Sequence, residues 1–288
     1  MIKVTLRDNV VKEFESGVTV AEITKSIGMG LYKAACCARV NGEVVDLRTP
    51  VTEDCAVEIV TFDDEAGKKT FWHTASHLLA QAVMHLFPEA KFAIGPAIDN
   101  GFYYDFDSEV PFTAEVLKQL EGEMKKIVKE NIKIERFTLP RDEAVKFMTE
   151  REEPYKVQLI EELPEGEEIS FYQQGDFTDL CAGPHLFATG AVKAFKLTAC
   201  TGAYWKGDQN NKQLQRIYGT AYPTKDALNA YLEAQAEALK RDHNKLGREL
   251  EYFTTVDVIG QGLPILLPKG ARTIQTLQRW VEDEEQKR

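Results

Sequence analysis

His73-Thr-Ala-Ser-His77-Leu-Leu-Ala-Gln-Ala-Val83 is the stretch on which the fold turns. Leu78, Leu79, Ala82 and Val83 recur at helical spacing, so the segment reads as a helix anchored in a core. The i, i+4 separation of His73 and His77 sets both imidazoles on one face of that helix. Far along the chain, Cys181-Ala-Gly-Pro-His185 repeats the four-residue spacing within a Gly/Pro-containing turn that can face the helix across a cleft. Three imidazoles and one thiol are the ligand set of a tetrahedral zinc site, and they equally suit a site that binds and orients a water molecule. Ligand count alone does not separate the two. A His pair on a helix is more often a solvated face, and a lone buried Cys more often a small hydrophobe. Here, though, three of the five histidines fall in these two short motifs, which favours one joint site. His85 and His243 are left without partners, His85 expected to pack on its helix and His243 to face solvent. A zincin carries Glu directly after its first His; Thr74 stands there instead, which excludes a zinc protease.

Upstream of that helix, Ile2, Val4 and Leu6 alternate with polar residues, the chain turns at Asp8-Asn9, and a second strand runs to about Phe14. Thr19-Val-Ala-Glu22 is a capping box opening a short helix that stops at Gly28. A hairpin follows at Asn41-Gly42, adjacent Cys36 and Cys37 read as strand residues, and Val57-Glu-Ile-Val-Thr-Phe62 closes the block. The order ββαββ plus a closing strand predicts a ubiquitin-like β-grasp domain. Asp63-Asp-Glu-Ala-Gly-Lys-Lys69 reads as a linker.

Downstream, residues 70 to 222 carry an α+β pattern. A helical period runs from Lys118 to Lys129, strands lie near Ala191 to Thr198 and Leu214 to Tyr218, and the acidic run Glu161 to Glu168 reads as a solvated loop. Leu228, Tyr231, Leu232, Leu239, Leu246 and Leu250 then predict one long connecting helix. The last block, from Glu251, holds Gly260-Gln-Gly-Leu-Pro-Ile-Leu-Leu-Pro-Lys-Gly270 and an amphipathic helix bearing Ile274, Leu277, Trp280 and Val281. Some 38 residues of this kind are too few for a core of their own.

Composition bounds the function. A chain of 288 residues suffices for two or more domains. A net charge of −11 argues against broad electrostatic binding of nucleic acid, so any RNA contact is local. There is no apolar run of about 20 residues and no signal-peptide pattern at Met1-Ile-Lys-Val-Thr-Leu6, so no membrane association is expected. Five cysteines without framework spacing suit a reducing compartment, and a cytoplasmic location is expected.

Several longer blocks carry a resemblance: Gly95-Pro-Ala-Ile-Asp-Asn-Gly-Phe-Tyr-Tyr-Asp105, Asp179-Leu-Cys-Ala-Gly-Pro-His185, Gly202-Ala-Tyr-Trp-Lys-Gly-Asp208, Gln215-Arg-Ile-Tyr-Gly-Thr-Ala221 and Leu267-Pro-Lys-Gly270. With the β-grasp block ahead of them, they resemble the bacterial threonyl-tRNA synthetase family over the whole chain. The resemblance implies an α+β multidomain fold: a TGS domain at 1–62, an editing domain at 63–224, a linker helix at 225–250 and a truncated beginning of the class II catalytic core at 251–288. It implies hydrolysis of serine-charged tRNA(Thr), with ATP, magnesium and a catalytic zinc belonging to core regions outside this segment, so the segment is not expected to activate threonine. His73, His77, Cys181 and His185 would then position water and carry its proton. Lys156, in Glu153-Pro-Tyr-Lys156, would stabilise the oxyanion, and Asp179 would accept from the substrate's hydroxyl or amino group. Tyr104 would stack on the terminal adenine or bond through its hydroxyl.

Related editing domains of alanyl-tRNA synthetases bind zinc through similar motifs, whereas the threonyl family works without a required metal. A metal-free centre is therefore the expectation, with zinc at the same four residues the alternative. Two other function classes stand beside it, a freestanding trans-editing deacylase and a noncatalytic tRNA-binding module. The end of the segment, Asp283-Glu-Glu-Gln-Lys-Arg288, falls inside a helix resembling the first class II signature and favours a piece of the synthetase. The parent enzyme is expected to be a homodimer and the segment a monomer.

Overall fold

A computed structural model describes residues 1–260 and 262–287; the side chain of Asp8 and residues Gln261 and Arg288, named above in a turn, a loop and a terminal helix, lie outside the described set. The chain divides into two compact units, Met1–Leu228 and Asn229–Arg288.

The first unit opens with a five-stranded sheet in the order Val11–Phe14, Ile2–Thr5, Cys55–Thr61, Ala35–Val40, Glu43–Val45. Its central pair, Ile2–Thr5 and Cys55–Thr61, is parallel and its other pairings are antiparallel, the β-grasp arrangement. The helix Val20–Ile27 covers one face through Val20, Ala21 and Ile23, which join Val4, Leu47 and Val57 in a small core. Its start is the expected capping box: the Thr19 hydroxyl accepts from the Glu22 amide at 3.3 Å, and the Glu22 carboxylate accepts from the Thr19 amide at 2.8 Å. The hairpin at Asn41-Gly42 turns with φ of 52° and 92°, the two positive values that a tight two-residue turn demands. Cys36 and Cys37 are buried in the strand Ala35–Val40.

The expected linker at 63–69 is instead the entry to the central helix, Glu65–Leu86. Asp64 caps it, accepting from the Ala66 amide at 2.9 Å, and Arg39 of the β-grasp sheet holds the same carboxylate at 2.8 Å. Gly67 and the paired lysines suggest a flexible join, but the cap and the helical sequence that continues to Leu86 decide the structure here. This helix lies against an antiparallel sheet ordered Ala194–Tyr204, Gln213–Tyr222, Gly101–Asp107, Lys91–Phe92, with Ala97–Ile98 also paired to Gly101–Asp107. Phe71, Trp72, Ala75, Leu78, Leu79, Ala82 and Val83 pack there against Phe102, Phe106, Leu197 and Ile217, and against Leu120 and Met124 of the helix Ala114–Glu130. The Trp72 indole donates to the Ala221 carbonyl at 2.8 Å, fixing helix to sheet.

A third layer joins the antiparallel strands Ile134–Leu139, Ile169–Gln174 and Phe177–Leu180 to the helices Arg141–Glu150 and Pro154–Glu162 around Met148, Ile160 and Phe171. The acidic run is only partly the loop expected. Glu161 and Glu162 finish the second of these helices, Glu162 pairs with Lys206, and Glu168 pairs with Arg136.

The long connecting helix is broken: Lys225–Lys240 and His243–Glu249 are separate helices. Asp242 starts the second by accepting from the Lys245 amide at 2.9 Å. An N-capping residue takes a non-helical backbone conformation, so a single continuous helix cannot pass through it. The second unit then pairs Phe253–Thr254 with Ile265–Leu266 and ends in the helix Pro268–Glu285, whose Leu277 and Trp280 are 57% and 61% exposed.

Candidate active site

Four elements of the first unit converge on one point. His73 and His77 lie one turn apart on the central helix, with ring centroids 5.2 Å apart. The strand Phe177–Leu180 delivers Asp179 and, just past its end, Cys181. Tyr104 comes from Gly101–Asp107 and Lys156 from Pro154–Glu162. The loop after Cys181 returns His185 against the central helix, 4.2 Å from His73 and 4.1 Å from His77 between ring centroids. All seven residues singled out in the sequence therefore meet.

The loop geometry depends on a missing side chain. Gly183 has φ +77°, and a Cβ there would stand 2.1 Å from the Tyr172 hydroxyl, so glycine alone fits. The turn lets Cys181 Sγ approach His73 Nε2 at 3.3 Å and His185 Nε2 at 3.1 Å while accepting from the Gly183 amide at 3.2 Å. The donor atoms of His73, His77, Cys181 and His185 all lie within 4.8 Å of one another. His73 and Cys181 are partly open to solvent, whereas His77 and His185 are buried.

Burial sets the protonation. It pushes His73 down to about 4 and His77 down to about 3, against the pull of the Asp179 carboxylate. His185 is held well below the ordinary imidazole range by burial and by its two neighbouring imidazoles. Burial also pushes the Cys181 thiol up to about 12. Near neutral pH the cluster is three neutral imidazoles and a protonated thiol, a set of bases and a weak donor without a formal charge.

Beside it lies a buried polar triad. Asp179 accepts from Lys156 at 2.5 Å and from the Tyr104 hydroxyl at 2.6 Å, and its Oδ2 lies 3.4 Å from His77 Nε2. Lys156 also reaches the Tyr104 oxygen at 3.0 Å. Burial alone would raise the Asp179 carboxyl, but Lys156, His77 and the Tyr104 hydroxyl together outweigh it and hold the group below the ordinary range. The Tyr104 phenol stays neutral, raised by burial and by Asp179.

Three expectations need correction here. Tyr104 is wholly buried, stacked on Phe106 at 4.8 Å, so no face is open to an adenine; its hydroxyl orients Asp179. Asp179 is 3% exposed with both oxygens engaged, so contact with a substrate requires one partner to yield. His85, expected to lack partners, bridges Glu123 at 2.9 Å and Asp176 at 3.0 Å, while His243 is exposed as expected.

Sequence reading misses four residues. Thr74 stands between the two helix histidines and its hydroxyl lies 3.1 Å from His185 Nδ1 and 2.9 Å from the Thr70 carbonyl. With its single proton given to Thr70, it accepts from His185 Nδ1–H, which leaves the His185 Nε2 lone pair facing Cys181. Glu153, raised to about 7 chiefly by burial, accepts from the Phe92 amide at 2.9 Å beside Lys156. Asp46 and Arg48, from the β-grasp layer, contact the peptide groups of His185. Thr74 alone has a legible signal, its place inside the His-x3-His turn.

Comparison with known proteins supplies the rest. Residues 2–61 match the TGS domain and residues 169–218 match the Threonyl and Alanyl tRNA synthetase second additional domain. Over all 288 residues the chain is 64% identical to the threonine–tRNA ligase of Clostridium perfringens (strain 13 / Type A) and 60% identical to that of Clostridium botulinum (strain Alaska E43 / Type E3). Its relatives are threonine–tRNA ligases, and it matches their N-terminal region. The ligase of Acetivibrio thermocellus is 56% identical over 287 residues. The chain spans 44% of the length of the two clostridial ligases and 45% of the Acetivibrio one, so the resemblance carries the TGS and second additional domains rather than a whole ligase. Among the described residues no helix is long and apolar enough to cross a membrane.

Proposed function

We propose that the first unit is an editing hydrolase that removes serine from mischarged tRNA(Thr), with a TGS part at 1–62 and a hydrolytic part at 63–224. The observation that carries this reading is the convergence of His73, His77, Cys181 and His185 on one point beside a buried lysine, with Cys181 and His185 inside the stretch matched by the second additional domain. Serine and threonine differ by one methyl, worth only about 1–3 kcal/mol in a pocket, so a ligase of this kind gains from a second, hydrolytic sieve.

Ester hydrolysis needs a placed water, a base for its proton and charge stabilisation for the tetrahedral oxyanion. Three neutral imidazoles supply bases at physiological pH. The Pro184 carbonyl favours a proton on the His73 ring, and with that proton on Nδ1 two Nε2 lone pairs face Cys181, whose thiol has one proton to give. The imidazole left over accepts from a water, and His73 is the one open to solvent. A thiol raised to about 12 is a poor nucleophile near neutrality, so water rather than sulfur attacks the ester. Lys156 directs two of its three N–H groups at Asp179 and Tyr104, and the third is its contribution to the oxyanion.

The same four donors fit zinc by kind and by spacing, and a bound ion would polarise the carbonyl or lower the pKa of a bound water. We read the centre as working without one. The protein would act in the cytoplasm, where its five free cysteines stay reduced, and would touch tRNA locally, in keeping with its −11 charge. Deacylation of seryl-tRNA(Thr) by the chain, with and without chelator and beside His73→Ala and Cys181→Ala, tests this directly. The expected result is hydrolysis indifferent to chelator and lowered about 10²-fold or more in His73→Ala. Loss on chelation would make zinc part of the site, and equal rates in wild type and His73→Ala would refute the assignment.

A further inference from the structure

The segment Asp46-Leu47-Arg48 belongs to the β-grasp layer, yet its two charged side chains end on the loop that carries His185. Asp46 Oδ2 lies 3.3 Å from the His185 amide nitrogen, and Arg48 Nη1 lies 3.2 Å from the His185 carbonyl oxygen. The peptide groups on both sides of His185 are therefore held from one short stretch. The rest of the guanidinium serves the same loop and the strand beside it. Nη2 donates to the Leu186 carbonyl at 2.7 Å and the Phe187 carbonyl at 3.1 Å, and Nε donates to the Ile134 carbonyl at 2.7 Å.

Asp46 in turn orders the pair. It receives Arg48 Nη1 at 2.7 and 2.9 Å and the Arg48 amide at 2.8 Å, and the Tyr172 hydroxyl donates to it at 3.1 Å. That tyrosine is the group against which Gly183 is fitted, and its ring lies 4.5 Å from the His185 ring. Leu47, between the two charged residues, is 1% exposed in the β-grasp core, and its carbonyl accepts from the Ala21 amide at 2.8 Å. The clamp thus has a rigid base on one side and the Cys181–His185 loop on the other.

An exposed pair bridging two layers would be of little consequence. Here Asp46 is 7% exposed and the Arg48 side chain 15% exposed, and four backbone carbonyls outside the β-grasp layer are satisfied by one guanidinium. A planar fork with five donors meets that geometry; a lysine ammonium with three cannot. We propose that Asp46 and Arg48 are positioning residues of the hydrolytic site, so that the β-grasp layer fixes His185 against Thr74 and Cys181. This rests on the editing reading above and adds to it a function for the β-grasp layer within catalysis.

The test uses the full 288-residue chain, with Arg48→Ala, Arg48→Lys, Asp46→Ala and Asp46→Asn, and with Arg39→Ala, which cuts a bond from the β-grasp sheet to the Asp64 cap of the central helix, away from the His185 loop. Two readouts are taken: amide hydrogen exchange at residues 185–187, and kcat and KM for seryl-tRNA(Thr) deacylation. The expected result for the alanine variants is exchange faster by about tenfold or more at those amides. Their kcat should fall by about 10²-fold, as a misplacement of about 1 Å can cause, with KM within about twofold. Asp46→Asn, which keeps one accepting oxygen, should fall between, and Arg39→Ala should leave both readouts near wild type.

Unchanged exchange at 185–187, or a rise in KM with kcat intact, overturns the proposal; the latter would mean that the pair contacts the tRNA. Equal losses in Arg39→Ala would also overturn it, by showing a general loosening. If the alanine variants fail to fold, Arg48→Lys and Asp46→Asn carry both comparisons. A wild-type chain without deacylase activity defeats the editing reading alone, and the exchange measurement then decides whether the clamp holds His185.

Discussion

His73 sits where burial takes an imidazole from its ordinary 6.5 down to about 4, and it is the one imidazole of the cluster that is partly open to solvent. A base that stays neutral to such low pH gives an acid limb in the pH–rate profile near 4, and a limb near 6.5 would show that the ring titrates as a solvated histidine. The stability linkage has the matching sign. Between about 4 and 6.5 the unfolded chain binds a proton at His73 that the folded chain does not, so stability is whole above 6.5 and declines as pH falls through that window. Glu153 runs the other way. Its folded carboxyl lies near 7 against an ordinary 4.5, so its contribution is whole below 4.5 and is lost as pH rises through 7. Glu153→Gln keeps an acceptor for the Phe92 amide and removes that loss, so its stability relative to wild type should rise by on the order of 2 kcal/mol between about pH 4.5 and pH 8, read by urea unfolding. A pH-independent difference would contradict the burial account.

Single residues are also where the sequence is most and least legible. His73, His77, Cys181 and His185 stand out because their types are scarce and their spacing is regular. Asp46 and Arg48 carry no such mark: an acid and a base two apart in a turn have the composition of any solvated loop, and only the folded chain brings them to His185, 139 and 137 positions away. Tyr104 belongs to the site as its motif implies, but stacking on a base requires an open face, and local sequence does not report depth.

At the scale of elements, the β-grasp block follows from alternation, a capping box and an Asn-Gly turn, all local signals that agree with one another. The segment at 63–69 has the look of a linker because Gly67 and two lysines outweigh Asp64, whose capping role depends on the helix that follows. Asp64→Ala removes both the cap and the Arg39 bond, and a loss of about 1–2 kcal/mol is expected on urea unfolding, with the midpoint shifted and the slope retained. A change below about 0.3 kcal/mol would return the segment to the status of a linker. The broken helix at Arg241 has the same origin, since Asp242 competes for a backbone amide that a continuous helix would not expose.

For the whole molecule, the stretches matched by two different domain models share one compact unit, and Asp46 and Arg48 of the first reach the Cys181–His185 loop of the second. The layered α+β architecture is legible from the order of elements, but that the β-grasp layer braces the site is not, because long-range packing leaves no periodic trace in sequence. The proposed function requires this unit to discriminate serine from threonine at a hydrolytic site built around His73. Parallel deacylation time courses with seryl-tRNA(Thr) and threonyl-tRNA(Thr) test it most directly. The expected result is a seryl ester cleaved at least about tenfold faster than the threonyl ester, in line with the exclusion of one methyl from a close-fitting pocket. Equal cleavage of the two esters, or cleavage of neither, would contradict it.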